Sequence, residues 1–285
     1  MKLSANTFVY EVGQVPIDKA LESLKGLGFQ YIDLAAYQSA DPTLMTQDKR
    51  RELVKRFKGE GFTSSQLLLV HTQDIASSDE KKREKALDYM KKTTEFQLEL
   101  GGKQVLVCWG CGVTESTIPH EQSWIYSVET IGEYASWCAG DGVLVGLEMD
   151  PHVYFVVNSM ERMAKILEDI NQPNVYPNVD IGHMCITRES PVTLSKFRGR
   201  ILHVHLSETD TFEHTNSILG TGSADFFAYL KMVEALEADK TCREKNEILT
   251  AGIEMGEPGG EVDDPDRWMK ESLAYLDRAV PGLEL

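Results

Sequence analysis

Residues 201–208 read Ile-Leu-His-Val-His-Leu-Ser-Glu, an apolar run carrying His203 and His205 that opens onto a polar tail. Side chains alternate in an extended chain, so the two imidazoles point to one side at different depths, with His205 nearer the end. Neighbouring runs end in the same manner. Gly146-Leu-Glu-Met-Asp150 places Glu148 at a strand end, Asn178-Val-Asp-Ile-Gly-His183 places Asp180, and Ala251-Gly-Ile-Glu-Met-Gly256 places Glu254. Four such residues at the ends of four successive runs read as parallel strands gathered round one axis.

Working outward, β-branched apolar runs alternate with amphipathic stretches along the whole chain. The expected strands are Lys2–Phe8, Tyr31–Ala35, Ser65–His71, Gln104–Trp109, Leu144–Met149, Asn178–Ile181, Ile201–Leu206 and Ile248–Glu254. The intervening helical patterns cover Ile17–Leu27, Gln47–Lys58, Asp79–Glu99, Glu121–Ala139, Ser159–Ile170, Ala224–Leu236 and Asp264–Ala279. The connector Thr187–Phe197 carries Pro191 and is the poorest helical pattern. Ser159 is an N-cap candidate, and Asp264-Pro265 places proline at a first helical position. A doubly wound dinucleotide fold calls for Gly-x-Gly-x-x-Gly after its first strand; here the chain reads Tyr10-Glu-Val-Gly-Gln-Val15. The expected fold is an α/β single (β/α)8 TIM barrel, with residues 1–285 forming one domain.

Composition narrows the function. Hydrophobic residues make up 42% of the chain, enough for a sizeable core, and no apolar run reaches the ~18 residues of a membrane span. The opening Met-Lys-Leu-Ser-Ala-Asn-Thr-Phe turns polar too early for a secretory signal. A formal charge of −16 repels phosphate backbones, which excludes nucleic acid as the expected partner. The basic clusters Lys49-Arg50-Arg51 and Lys81-Lys82-Arg83 fall on helices and read as solvated faces. Five scattered cysteines fit a reducing cytoplasm better than a disulfide framework, and Cys108-Trp-Gly-Cys111 reads as two half-buried thiols. Pairing through surface helices to form a homo-oligomer is left open, because no feature fixes it.

The strand ends carry the chemistry. Glu148, Asp180, His205 and Glu254 form an oxygen-rich set suited to one divalent metal ion, Mn, Mg or Co. No Lys or Arg accompanies these ends, so a bound cation is the compensation that buried carboxylates require. Glu148 and Glu254 come from the fifth and eighth strands and would face each other across the axis. That is the arrangement for removing a proton from one face of a carbon and returning it on the other. The metal would stabilise the resulting enediolate. His183, three residues beyond Asp180, is expected to contact a substrate hydroxyl or carbonyl, with Gly182 allowing a sharp turn. Glu208, His71 and His214 are further substrate-binding candidates, and Trp109 and Tyr10 are expected to wall the pocket. His203 reads as a deeper histidine behind the ligands.

These residues resemble a known family. Asp180-x-x-His183, His203-x-His205-x-x-Glu208, Leu219-Gly-Thr-Gly-Ser-Ala-Asp225-Phe, and Glu254 followed by Glu257-Pro-Gly-Gly are similar to the xylose-isomerase-like superfamily of sugar isomerases and epimerases. The ketose 3-epimerases look closest in layout. The resemblance implies Glu148, Asp180, His205 and Glu254 as metal ligands, Glu148 and Glu254 as the catalytic pair, and His183 as a substrate residue. It implies a metal-dependent isomerase or epimerase of a small keto-sugar or polyol, in carbohydrate metabolism. Those epimerases carry an arginine shortly after the Glu208 position, where this chain reads Thr209-Asp-Thr-Phe-Glu-His214. Dehydratases acting on keto-inositols or dehydroshikimate share the same logic and form the alternative. Apurinic endonucleases of the superfamily rank last. They want a histidine where Trp109 stands and an Asp-x-His pair where Phe212-Glu-His214 stands.

Overall fold

The computed structural model describes residues 1–257 and 259–285; Pro258, within the Glu257-Pro-Gly-Gly motif, lies outside the described residues. The strands are β1 (Lys2–Asn6), β2 (Tyr31–Ala35), β3 (Thr63–Leu69), β4 (Gln104–Val107), β5 (Leu144–Leu147), β6 (Val175–Pro177), β7 (Val179–Asp180), β8 (His203–Ser207) and β9 (Thr250–Glu254). The helices are α1 (Phe8–Val12), α2 (Ile17–Gly26), α3 (Gln47–Gly59), α4 (Glu80–Leu100), α5 (His120–Ala139), α6 (Met160–Ile170), α7 (Ile181–Ile186), α8 (Phe226–Ala235), α9 (Ala238–Glu244) and α10 (Pro265–Ala279).

All strand pairings are parallel, and the order β6-β5-β4-β3-β2-β1-β9-β8-β7 describes a nearly closed barrel, the expected TIM-barrel fold. The sixth strand arrives in two pieces. Val175–Pro177 pairs with β5, Val179–Asp180 pairs with β8, and Asn178 joins them, its own N–H donating to Leu147 O at 2.7 Å. The ring therefore closes through the Asn178 junction.

Helices bury the stripe facing the sheet, as in α2, where Ile17, Ala20, Leu21 and Leu24 are inaccessible to solvent. Their starts are capped by side chains: Thr46, Asp79, Ser159 and Asp264 accept backbone N–H groups of α3, α4, α6 and α10, and Pro265 opens α10.

Several boundaries differ from expectation at the C-terminal strand ends. The first strand stops at Asn6 because its Oδ1 accepts the N–H of Phe8 at 3.0 Å, which turns the chain into α1. Tyr10 is thereby drawn into the helix layer, where its hydroxyl donates to Asp266 at 2.9 Å, and Phe8 takes its expected place in the pocket wall. The fourth strand ends at Val107, because Trp109, Gly110, Cys111 and Gly112 all adopt positive φ. Ile181 belongs to α7 because the Asp180 carboxylate captures the N–H of His183 at 2.7 Å and caps that helix. Pro191–Phe197 forms a 3-10 turn. The expected role of Gly182 also changes. It lies inside α7 and packs on β8, where a Cβ would come within 2.8 Å of Ser207 O, so its small size serves close approach.

Candidate metal centre

Inside the barrel, polar residues project from strands whose outer faces are apolar. His205 Nδ1 lies 2.5 Å from Glu254 Oε2, 3.0 Å from Glu148 Oε1 and 3.9 Å from Asp180 Oδ2. One ligand atom from each of Glu148, Asp180, His205 and Glu254 falls within 4.8 Å of all the others. The chain thus brings together four side chains spread over 106 positions only because four strands end at one height.

A cation fits this cluster on the evidence of its own polar atoms. Asp180 Oδ2, His205 Nδ1 and Glu254 Oε2 are buried and have no hydrogen-bond partner among the described residues, although buried polar groups are almost always satisfied. In Asp180 and His205 the opposite atoms are engaged. Asp180 Oδ1 accepts from Ser207 Oγ at 2.6 Å and from the N–H of His183, and His205 Nε2 lies 3.0 Å from Gln66 Oε1. One atom of each of these two groups is thus held by protein while the other is presented to a common point. Carboxylate and imidazole donors suit a hard or borderline divalent ion.

Burial raises the Glu148 carboxyl above its usual range. It also pushes Asp180 up to about 7, with Glu148 and Glu254 adding to the effect. Burial alone would lower the His205 imidazole, but the flanking Glu254 and Glu148 outweigh it and raise the group. In the metal-free protein a proton therefore competes with a cation. Below about pH 7 binding must displace a proton from the Asp180 carboxyl and one from the raised His205 imidazole; above it only the imidazole proton is lost. We expect Mn²⁺ affinity, followed by calorimetric titration, to rise steeply up to roughly pH 7 and by about tenfold per pH unit above it while His205 still carries its extra proton. An affinity independent of pH across this window would contradict the assignment. The metal-free fold carries the matching sign. Its raised carboxyl favours the protonated native state, so this contribution to stability is lost as pH rises from the free-Asp value of ~3.9 through about 7.

Beneath the cluster lies a second buried set. Asp33 Oδ1 accepts from Ser65 Oγ at 2.6 Å, and Oδ2 accepts from Ser4 Oγ at 2.6 Å and lies 3.2 Å from His203 Nε2. His203 Nδ1 meets Thr250 Oγ1 at 2.6 Å, and the His203 and His205 rings stand edge to face at 5.1 Å. Burial pushes Asp33 up, but His203 outweighs it and keeps the carboxyl below its usual range. His203 is thus bonded to Thr250 through Nδ1 and stands beside Asp33 in the layer below His205. Gly252 of β9 leaves the room for this set, since a Cβ there would overlap Asp33 Oδ2 and lie 3.2 Å from His203 Nε2.

The centre opens into a cavity of about 210 Å³. Its walls include Trp109, His183, His214 and Phe155, with Asp150 beside Glu148, and no Lys or Arg lines it among the described residues. His183 Nδ1 meets Met149 O at 2.6 Å; a carbonyl only accepts, so Nδ1 carries the proton. His183 Nε2 touches His214 Nε2, and His214 Nδ1 lies 2.9 Å from Glu257 Oε1. Burial opposes charge on both rings. It holds His183 well below its usual value, whereas for His214 it is outweighed by Glu257, and that ring is raised to about 9. His214 is thus the donor of the pair and His183 the acceptor.

Two expected substrate residues lie elsewhere. Glu208 accepts the N–H groups of Thr209, Gly220 and Ala224 at 3.1, 2.6 and 3.0 Å, and both oxygens are spent on holding its own loop. His71 is half exposed, 3.6 Å from Asp41, and lines an adjoining groove that shares Trp109, Tyr154 and Phe155 with the main cavity. Trp109 is fixed between the two spaces by an indole N–H bond to Val70 O. Cys108 and Cys111 have thiols raised by burial, and all five cysteines are free. Asp150 was not anticipated; burial pushes it up to about 8. Its spacing of two from Glu148 is the signal that would have revealed it.

The profile of the family described as "Xylose isomerase-like TIM barrel" matches residues 21–279. No curated protein matches the chain. Among solved structures, a D-tagatose 3-epimerase-like protein superposes with TM-score 0.78 at 16% identity, covering 97% of each chain. D-allulose 3-epimerase from Methylomonas sp., in complex with D-allulose, gives 0.77 at 18% identity, over 98% of this chain and 97% of the other. The IOLI protein with a bound zinc atom gives 0.78 at 20%, over 99% of this chain and 100% of the other. At such identities the likeness is one of fold. Among the described residues, no helix is long and apolar enough to cross a membrane.

Proposed function

Because the chain belongs to the xylose isomerase-like TIM barrel family, we propose that it is a divalent-metal-dependent isomerase or epimerase of a small, uncharged keto-sugar or polyol. The observation that carries this reading is the convergence of Glu148 and Glu254 on one point shared with Asp180 and His205, at the floor of a cavity that no Lys or Arg lines among the described residues. Asp180 and His205 hold the metal, together with the two glutamates. When bound, the ion supplies Lewis-acid stabilisation of negative charge on a substrate oxygen. The activity is placed in a single domain of residues 1–285.

The protein groups have separate tasks. One of Glu148 and Glu254 removes the proton next to the substrate carbonyl, and the other delivers a proton to the opposite face. His183 and His214 offer an acceptor and a donor to substrate hydroxyls once their mutual contact opens. Trp109 and Phe155 cover the carbon-bound face of the sugar and exclude water. With Glu148, Asp150, Glu254 and Glu257 around the cavity, and among the described residues no Lys or Arg and only the His214 ring, already paired with Glu257, to oppose them, a phosphate group would be repelled, which favours a neutral substrate over a sugar phosphate or a nucleic-acid strand. The similar structures named for D-tagatose and D-allulose support a ketose as the first substrate to try.

The test is incubation of the Mn²⁺-loaded protein with D-fructose, D-tagatose and D-allulose in D₂O. Epimer or isomer formation with one solvent deuterium incorporated, abolished by a chelator, is the expected result. A product lighter by one water would replace this reading with a dehydratase. Absence of both metal binding and turnover would remove it.

A further inference from the structure

Between His205 and Glu148 runs a chain of two buried amides that no sequence motif announces. Asn178 Nδ2 donates to Glu148 Oε1 at 3.1 Å, Gln66 Nε2 donates to Asn178 Oδ1 at 3.2 Å, and Gln66 Oε1 lies 3.0 Å from His205 Nε2. The loop closes on itself, since the same Glu148 Oε1 lies 3.0 Å from His205 Nδ1. Gln66 and Asn178 are each only 2% exposed, so neither amide has water as an alternative partner.

We propose that Gln66, acting through Asn178, is a positioning residue that fixes which nitrogen of His205 faces the metal. The inference rests on the metal-centre reading above. The argument runs along the donors. An ionised carboxylate only accepts, so Asn178 must turn its NH₂ toward Glu148. Its Oδ1 then points away and requires a donor, which Gln66 Nε2 supplies. Gln66 is left presenting Oε1, an acceptor, to His205, so Nε2 must carry the proton. Nδ1 is the nitrogen that remains for the shared point between Glu148, Asp180 and Glu254. Turning either amide over would set donor against donor or acceptor against acceptor at both of its ends. Glu148 thereby dictates the tautomer of a ligand on a strand two places away in the barrel.

The experiment uses ¹⁵N-labelled full-length protein with Zn²⁺ as a diamagnetic probe. In the wild type, His205 is expected to show a slowly exchanging proton on Nε2 and a ligand shift on Nδ1. Gln66→Leu removes the acceptor. It is expected to weaken Zn²⁺ binding about 10–100-fold, the range for such outer partners, and to erase the Nε2 proton signal. Gln66→Glu restores an acceptor for His205 Nε2 but gives up the N–H that Gln66 donates to Asn178, so it should recover the Nε2 proton signal, which mere filling of space would not do, while its affinity stays below that of the wild type. Asn178→Asp has the same shape but no NH₂ for Glu148, and should lower affinity as Gln66→Leu does; it carries the test if Gln66→Leu fails to fold. A wild type that binds Zn²⁺, with variants that match it in affinity and spectrum, overturns this inference alone. A wild type that binds no Zn²⁺ overturns the metal centre and this inference with it.

Discussion

Glu148→Gln and Glu254→Gln are each expected to lower kcat by about 10³–10⁴-fold, at the upper part of the range for loss of a positioned acid or base. Glutamine keeps the size of the side chain and an oxygen able to face a cation, but it takes up no proton near neutral pH. Loss of turnover with metal still bound therefore isolates proton transfer, and metal content is measured alongside rate. The two variants are expected to differ in one readout. Each retains the carboxylate serving one face, so each should exchange deuterium from only one of the two epimers without inverting it. Removing both glutamates should cost little more than removing one, since they act as a unit. Full activity in either single variant would refute the assigned roles.

Gly252→Ala is expected to destabilise the fold by about 3–5 kcal/mol, combining overpacking with disruption of the buried polar layer around the Asp33 carboxylate. The added methyl would overlap Asp33 Oδ2, and Asp33 has nowhere to go. Ser65 holds one of its oxygens, and Ser4 and His203 flank the other. Gly252 also stands in register with His205, so the strain reaches a ligand strand directly. A drop in melting temperature on the order of 10 °C, with weakened metal binding, is the expected result. Gly26→Ala, where an added Cβ meets nothing within 4 Å, serves as the control and should change little. A Gly252→Ala protein as stable as the wild type would show that the Asp33 layer yields easily.

The barrel was legible because buried parallel strands and amphipathic helices leave different periods in the sequence, and their alternation survives errors at the edges. The four converging groups were legible for a related reason: a charged residue closing an apolar run is conspicuous. Polar residues in mid-strand were not. Asp33 and Gln66 interrupt apolar runs and look like noise until the opposite wall of the barrel is known, because their partners lie 170 and 139 positions away in His203 and His205. Strand ends were misplaced where a side chain competed for the backbone. Asn6 and Asp180 each captured an N–H group and ended the strand two residues and one residue early, turning the chain into a helix. Glu208 misled because a lone acid beside a ligand strand looks chemical, whereas three backbone donors can claim it once the loop folds back.

The split sixth strand has a consequence for assembly. Asn178 shuts the last seam of the ring through its backbone while its side chain grips Glu148. Until that seam shuts, Glu148 on one margin of the open sheet and the acids of β7 and β9 on the other are held apart. Mutual repulsion among them is thus deferred to the closing event, when an ion can enter to quench it. A circular permutant cut at Asn178 would move the chain ends into this junction, and in such a protein ring closure itself should become dependent on added metal.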